Sequence, residues 1–117
     1  MNISPTSETG REVIARSHTL FKDMGGAVLN FQRLCHLFNV KDQNKGAEIA
    51  ELLCRRDVHV LKHVYFFVDD SDAPFLLRDS IVHNYVRTGE LYNPVTNELI
   101  PFDEADERIV IEFEVVE

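Results

Sequence analysis

Two cysteines and two histidines are the residues of this chain whose types could hold a zinc ion. Cys35, Cys54, His59 and His63 are separated by eighteen, four and three residues, and thiolate and imidazole groups are common zinc ligands. If the histidines belong to a strand, however, they lie about 13 Å apart along it, too far to share one ion. We therefore interpret the cysteines as buried thiols in a reducing compartment, and we predict neither a metal nor another cofactor.

Catalytic chemistry would need a nucleophile, an acid–base pair or a phosphate-binding loop in a recognisable context. The sequence has no Gly-x-Ser-x-Gly, Walker, His-Glu-x-x-His or Gly-x-Gly-x-x-Gly motif. Gly25 and Gly26 precede a predicted helix and could offer backbone N–H groups to an anion, but a glycine pair is usual at a simple turn. We predict that the chain is not an enzyme, with a small metal-dependent enzyme as an alternative.

A second alternative is a winged-helix-like DNA-binding transcriptional regulator. Two predicted helices flank a polar connection, and the second helix of a helix-turn-helix reads the major groove with its N-terminal residues. The residues that would contact DNA are Lys41, Gln43, Asn44 and Lys45. The connection is longer than a tight turn, and the formal net charge of −8 opposes broad binding to phosphates, so nucleic acid is not the partner we favour.

Carboxylates cluster in the second half of the chain. Asp69, Asp70 and Asp72 form one group, and a second group precedes and enters the last predicted strand. We predict that the second group binds a protein partner through Asp103, Glu104, Asp106, Glu107, Glu112 and Glu114, with Glu117 close by. An acidic face complements a basic surface, speeds association and biases the choice of partner. The favoured function is a non-enzymatic, small acidic protein-binding module: a regulator, adaptor or inhibitor of a larger, basic-surfaced partner.

Aromatic residues exceed what one face of a short sheet must bury. Tyr65, Phe66, Phe67, Tyr92 and Phe102 all fall in the second half of the chain. A small sheet with free edges can cover such residues by docking a partner or by pairing with a second copy. A homodimer is therefore a further expectation.

The composition is that of a globular protein. The chain has 117 residues, of which 44% are apolar and 27% charged, so we predict one domain over residues 1–117 with a loose arm at 1–6. No basic and apolar leader is visible, and no stretch approaches the roughly 20 apolar residues that span a bilayer. We expect a cytoplasmic protein without membrane contact.

The elements that must position these residues follow from hydrophobic periodicity. Helices are predicted at about 7–24, 27–38, 44–56 and 73–88, strands at 58–68 and 108–116, and a hairpin at 90–100. Residues 58–68 could instead continue the third helix. The predicted fold is α+β, with three N-terminal helices packed on a small, mainly antiparallel sheet that a fourth helix interrupts. The two long strands are expected to pair.

Overall fold

A computed structural model describes residues 3–116, so Met1 and Asn2 of the predicted arm, and Glu117, lie outside the described residues. In chain order the elements are α1 (Glu8–Leu20), β1 (Val28–Leu29), α2 (Phe31–Leu37), α3 (Gln43–Leu53), β2 (Leu61–Val68), β3 (Pro74–Leu76), α4 (Asp79–Thr88), α5 (Phe102–Ala105), a 3-10 turn (Asp106–Arg108) and β4 (Ile109–Val115). The four strands form one antiparallel sheet in the order β1-β4-β2-β3. The predicted α+β class, with N-terminal helices preceding the sheet, is confirmed.

The two long strands are neighbours, as the alternation of their residues predicts. The Val116 N–H donates a hydrogen bond to the Val60 carbonyl at 3.0 Å. The alternative of a continuous helix is wrong, because α3 ends at Leu53 and the chain then turns through His59, whose φ is 50°. That left-handed residue reverses the chain before β2 begins.

The helix predicted at 27–38 is only half present. Its first residues form β1, in which Val28 pairs with Glu114 and Leu29 with Phe113. The helix starts after Asn30, whose side chain accepts a hydrogen bond from the Arg33 N–H at 2.8 Å. The apolar residues of 27–38 fit a helical stripe, but pairing with β4 satisfies the backbone of the first two and overrides that local preference.

The helix predicted at 73–88 also begins late, because its first residues form strand β3. The carboxylate of Asp69 accepts hydrogen bonds from the N–H groups of Ser71 and Ala73, which closes the turn between β2 and β3. The helix therefore starts at Asp79. It ends at Gly89 with φ 79°, and the predicted glycine stop is confirmed.

The described chain divides into two compact units, each with its own core. The first unit contains the chain up to His63 and from Glu112 onward, and the second unit is Val64–Ile111. The core of the first unit includes Phe21, Leu29, Leu34, Phe38, Ile49, Leu53, Leu61, Phe113 and Val115. The core of the second unit consists of Phe67, Leu77, Val82, Leu91 and Ala105. The assignment of a single domain stays a prediction.

None of the helices formed by residues 3–116 combines the length and the apolar character needed to cross a bilayer.

Candidate functional site

The negative charge of the protein is concentrated in the second unit. Residues 64–111 contain ten Asp and Glu residues against three Arg and Lys residues, so they carry −7 of the total charge of −8. The remaining residues have ten acidic against nine basic side chains, which leaves −1. A basic molecule approaching the protein is therefore attracted chiefly to the second unit.

Arg108 brings together the two acidic groups that are separated in the sequence. Its guanidinium donates a hydrogen bond to the Asp70 carboxylate in the turn between β2 and β3, and it lies 3.5 Å from the Val68 carbonyl oxygen. Arg108 directly follows Asp106 and Glu107, so the acidic turn at 69–72 lies beside the acidic segment at 103–107. The arginine forms an ion pair with Asp70, and its charge also contributes to lowering the pKa of the Asp69 carboxyl.

Hydrogen bonds fix parts of this acidic region and shift the pKa of one of its carboxyls, Asp69, and of the neighbouring Tyr85 hydroxyl. The Ser71 hydroxyl donates to Asp69 at 2.7 Å, and this bond, with backbone donation from Ala73, lowers the pKa of the Asp69 carboxyl. The Tyr85 hydroxyl donates to Asp106, which raises the pKa of the Tyr85 hydroxyl. We use the name acidic rim for Asp69, Asp70, Asp72, Asp103, Glu104, Asp106 and Glu107.

The sheet residues of the second unit alternate between the core and the opposite face at the positions that pair β2 with β3. Phe67 is 2% exposed in the core of this unit, and its cross-strand partner Phe75 packs against the same core. Successive side chains of a strand point to opposite faces, so Phe66 and its partner Leu76 point away from that core. In β4, Ile109 packs on the core, which turns Val110 to the opposite side.

These alternating positions create an apolar surface outside the core. We call it the outer sheet face and define it by Val64, Phe66, Val68, Pro74, Leu76 and Val110. Leu76 is 64% exposed and Val110 39% exposed, while Phe66 is half-buried. The acidic rim starts at Asp69, directly after Val68 in the chain. An apolar surface next to charged residues is the usual composition of a protein-docking site.

The remaining predicted partner-binding residues belong to the first unit. Glu114 forms an ion pair with Lys62 at 3.2 Å, and its side chain is 29% exposed. Glu112 is half-buried on the same strand. The structure thus divides the six predicted residues: Asp103, Glu104, Asp106 and Glu107 are exposed in the second unit, whereas these two carboxylates lie in the first.

The four residues considered for DNA binding are exposed at the start of α3, but three of them line two different cavities. Lys41 and Gln43 border a cavity with Cys35 and His36, whereas Lys45 borders a cavity formed with α1. Asn44 donates its N–H to the carboxylate of Asp42, the N-cap of α3. A carboxylate at this helix start repels phosphate, which is unfavourable for a recognition helix.

The cysteines and histidines considered as metal ligands are dispersed. Cys35 is in α2 and Cys54 caps α3, both half-buried, and burial raises the pKa of the Cys54 thiol to about 11. His59 lies in the turn before β2, and the His63 ring packs against Phe113 with 5.5 Å between centroids. Within residues 3–116, no three His, Cys, Asp or Glu side chains are grouped as ligands of one ion.

Comparison with known proteins identifies no similar protein. The chain matches no protein-family model, no curated protein and no solved structure.

Three residues of the candidate site are not singled out by the sequence: Arg108, Leu76 and Val110. The alternation of β4 is readable from the sequence, whereas the helix predicted at 73–88 includes Leu76 and so conceals its position opposite Phe66.

Proposed function

We propose that this protein is a non-enzymatic binding module that acts in the cytoplasm as a regulator, adaptor or inhibitor of a larger protein. The outer sheet face is the docking centre, and the acidic rim selects a partner with a basic surface. The observation that carries the proposal is the cross-strand pair formed by Phe66 and Leu76, in which Leu76 is 64% exposed.

The apolar centre can supply useful binding energy. Full burial of a leucine side chain contributes about 1.5–3 kcal/mol. Because about two-thirds of Leu76 is still exposed, covering it contributes about 1–2 kcal/mol, or roughly 5- to 30-fold in Kd. Phe66 and Val110 add to the same contact, and central apolar side chains of this kind usually dominate the affinity of an interface.

The charge distribution favours a different protein over a second copy as the partner. Two copies joined through the outer sheet face would bring together two units that each carry −7. Like charges across an interface are unfavourable, whereas a basic partner is attracted over distances of about 10 Å at moderate salt. A homodimer is thus an alternative outcome of the experiment below.

Affinity capture with matched leucine variants tests the proposal. Leu76→Gln alters the outer sheet face, and Leu99→Gln is the control, because Leu99 is 55% exposed in the same unit but outside that face. We expect wild type and Leu99→Gln to retain the same protein at low salt, less of it at high salt, and Leu76→Gln to retain little. Sedimentation of the purified chain distinguishes a homodimer. Equal retention by both variants would disprove the docking face.

A further inference from the structure

The first unit contains a cavity with a different chemistry from the acidic second unit. It is partly open to solvent and has a volume of about 330 Å³, within the range of small-molecule pockets. One wall is the face of α1 that carries Thr9, Glu12, Val13 and Arg16, which are spaced three and four residues apart. The opposite wall comes from the connection after α2 and from Lys45 and Ile49 of α3.

The floor of this cavity is apolar and firmly packed. Phe38 and Ile49 are each 4% exposed, and the half-buried Val13 and Val40 extend the floor. The Phe38 ring meets the Phe21 ring edge-on with 6.0 Å between centroids, which fixes its orientation. An apolar ligand body placed here would contact ordered side chains rather than displace mobile ones.

Two cationic side chains, Arg16 and Lys45, line the cavity beside the apolar floor. The guanidinium carbon of Arg16 lies 5.8 Å from the centroid of the Phe38 ring, a cation–π distance that restrains the arginine over the cavity. Lys45 lines the same cavity from α3. Neither cation forms an ion pair with a carboxylate of residues 3–116. A guanidinium fork binds a carboxylate through two parallel hydrogen bonds.

Glu12 limits how much negative charge the cavity accepts. It lies one helical turn before Arg16 and lines the same cavity, so the three charged side chains leave a net charge of +1. A group with two or more negative charges would be repelled by Glu12, whereas a single carboxylate matches the balance. The apolar floor in turn disfavours a small hydrated anion.

We propose that this cavity binds a small amphipathic monoanion, with its carboxylate between Arg16 and Lys45 and its apolar body on Phe38 and Ile49. The site is separate from the outer sheet face and does not rest on the function proposed above. It gives the first unit a ligand-binding role, and its ligand class is an aliphatic or aromatic carboxylate.

Titration of the full chain with sodium octanoate, followed by backbone amide NMR, tests this proposal. We expect saturable shifts confined to residues 9–16 and 38–49, and no comparable binding of octylammonium, which has the same tail and the opposite charge. The double variant Arg16→Gln/Lys45→Gln should weaken octanoate binding about tenfold or more, because it removes both charge-assisted contacts.

The control is the double variant Arg11→Gln/Lys22→Gln, which removes two exposed cations that do not line the cavity. It should bind octanoate as wild type does. All four substituted side chains are exposed, so both variants should retain the wild-type circular dichroism spectrum. Unsaturable shifts, equal binding of octylammonium, or an unchanged Kd in Arg16→Gln/Lys45→Gln would overturn the proposal, as would binding of acidic peptides alone.

Discussion

The close packing of α2 on α3 can be tested by the substitution Gly46→Ala in the first unit. Gly46 is a buried residue of α3, and a Cβ added there would overlap the Cys35 Sγ of α2 and lie 3.2 Å from the Phe31 Cζ. This packing sets the path of the chain between the two helices, which forms one wall of the proposed carboxylate site. The substitution therefore probes whether that wall is built as described.

Two opposing effects determine the change in the free energy of unfolding. Replacing glycine by alanine inside a helix stabilises by about 1 kcal/mol, whereas overpacking costs about 1–3 kcal/mol. We expect Gly46→Ala to destabilise by up to about 2 kcal/mol. In a Cys35→Ala background the sulfur is gone, so the same substitution should stabilise by up to about 1 kcal/mol, and the coupling should be about 1–3 kcal/mol.

Urea unfolding of the four proteins of this double-mutant cycle gives the coupling directly. A parallel cycle with Cys54→Ala serves as the control, because Cys54 is not among the nearest neighbours of the added Cβ. That cycle should show no coupling beyond about 0.5 kcal/mol. An effect of Gly46→Ala that is the same with and without Cys35 would refute the proposed contact between α2 and α3.

Three further changes test local features. Because burial raises the pKa of Cys54 from 9.0 to about 11, the unfolded state ionises first. The contribution of Cys54 to stability should therefore be fully present well below pH 9 and be lost as the pH rises toward 11, and urea unfolding across this range should show a smaller decline in Cys54→Ala than in wild type. Ser71→Ala removes the main cause of the lowered pKa of Asp69; the pKa should rise in an NMR titration, and acid should weaken the turn at a higher pH. Gly89→Ala forces alanine to φ 79° and should cost about 1–2 kcal/mol in thermal unfolding.

The secondary structure could be predicted from the sequence where the local pattern and the long-range strand pairing agree. Residues 58–68 and 108–116 have the β-branched content and alternation of strands, and they became β2 and β4. The stop at Gly89 followed from glycine's tolerance of a left-handed backbone. In these places the local preference already specifies the final structure.

The secondary structure could not be predicted from the sequence where a short strand has the apolar pattern of a helix. Val28 and Leu29 lie within the helix predicted at 27–38, and Phe75 and Leu76 within the helix predicted at 73–88, but they pair with β4 and β2. Strands of two or three residues have too few positions to show a period of two. The candidate docking site depends on this difference, because only the pairing with Phe66 places Leu76 on the outer sheet face.

The grouping of charged residues was only partly predictable. Both acidic groups could be read from the chain, but their contact through Arg108 and Asp70 joins residues that are far apart in sequence. The cavity lined by Arg16 could not be predicted from the sequence, because its cations and its apolar floor meet only when α1, the connection after α2 and α3 are packed together. Such sites arise from tertiary packing and leave no spacing signature in one sequence.

The central claim is that the second unit binds a basic protein through an apolar centre with an acidic rim. The most direct measurement is the Kd of the captured partner, determined by calorimetry at low and high salt for wild type, Leu76→Gln and Leu99→Gln. We predict that Leu76→Gln raises Kd roughly 5- to 30-fold at both salt concentrations. Leu99→Gln should match wild type, and salt should weaken binding of all three proteins. Equal Kd values for the two leucine variants, or binding that strengthens with salt, would contradict the claim.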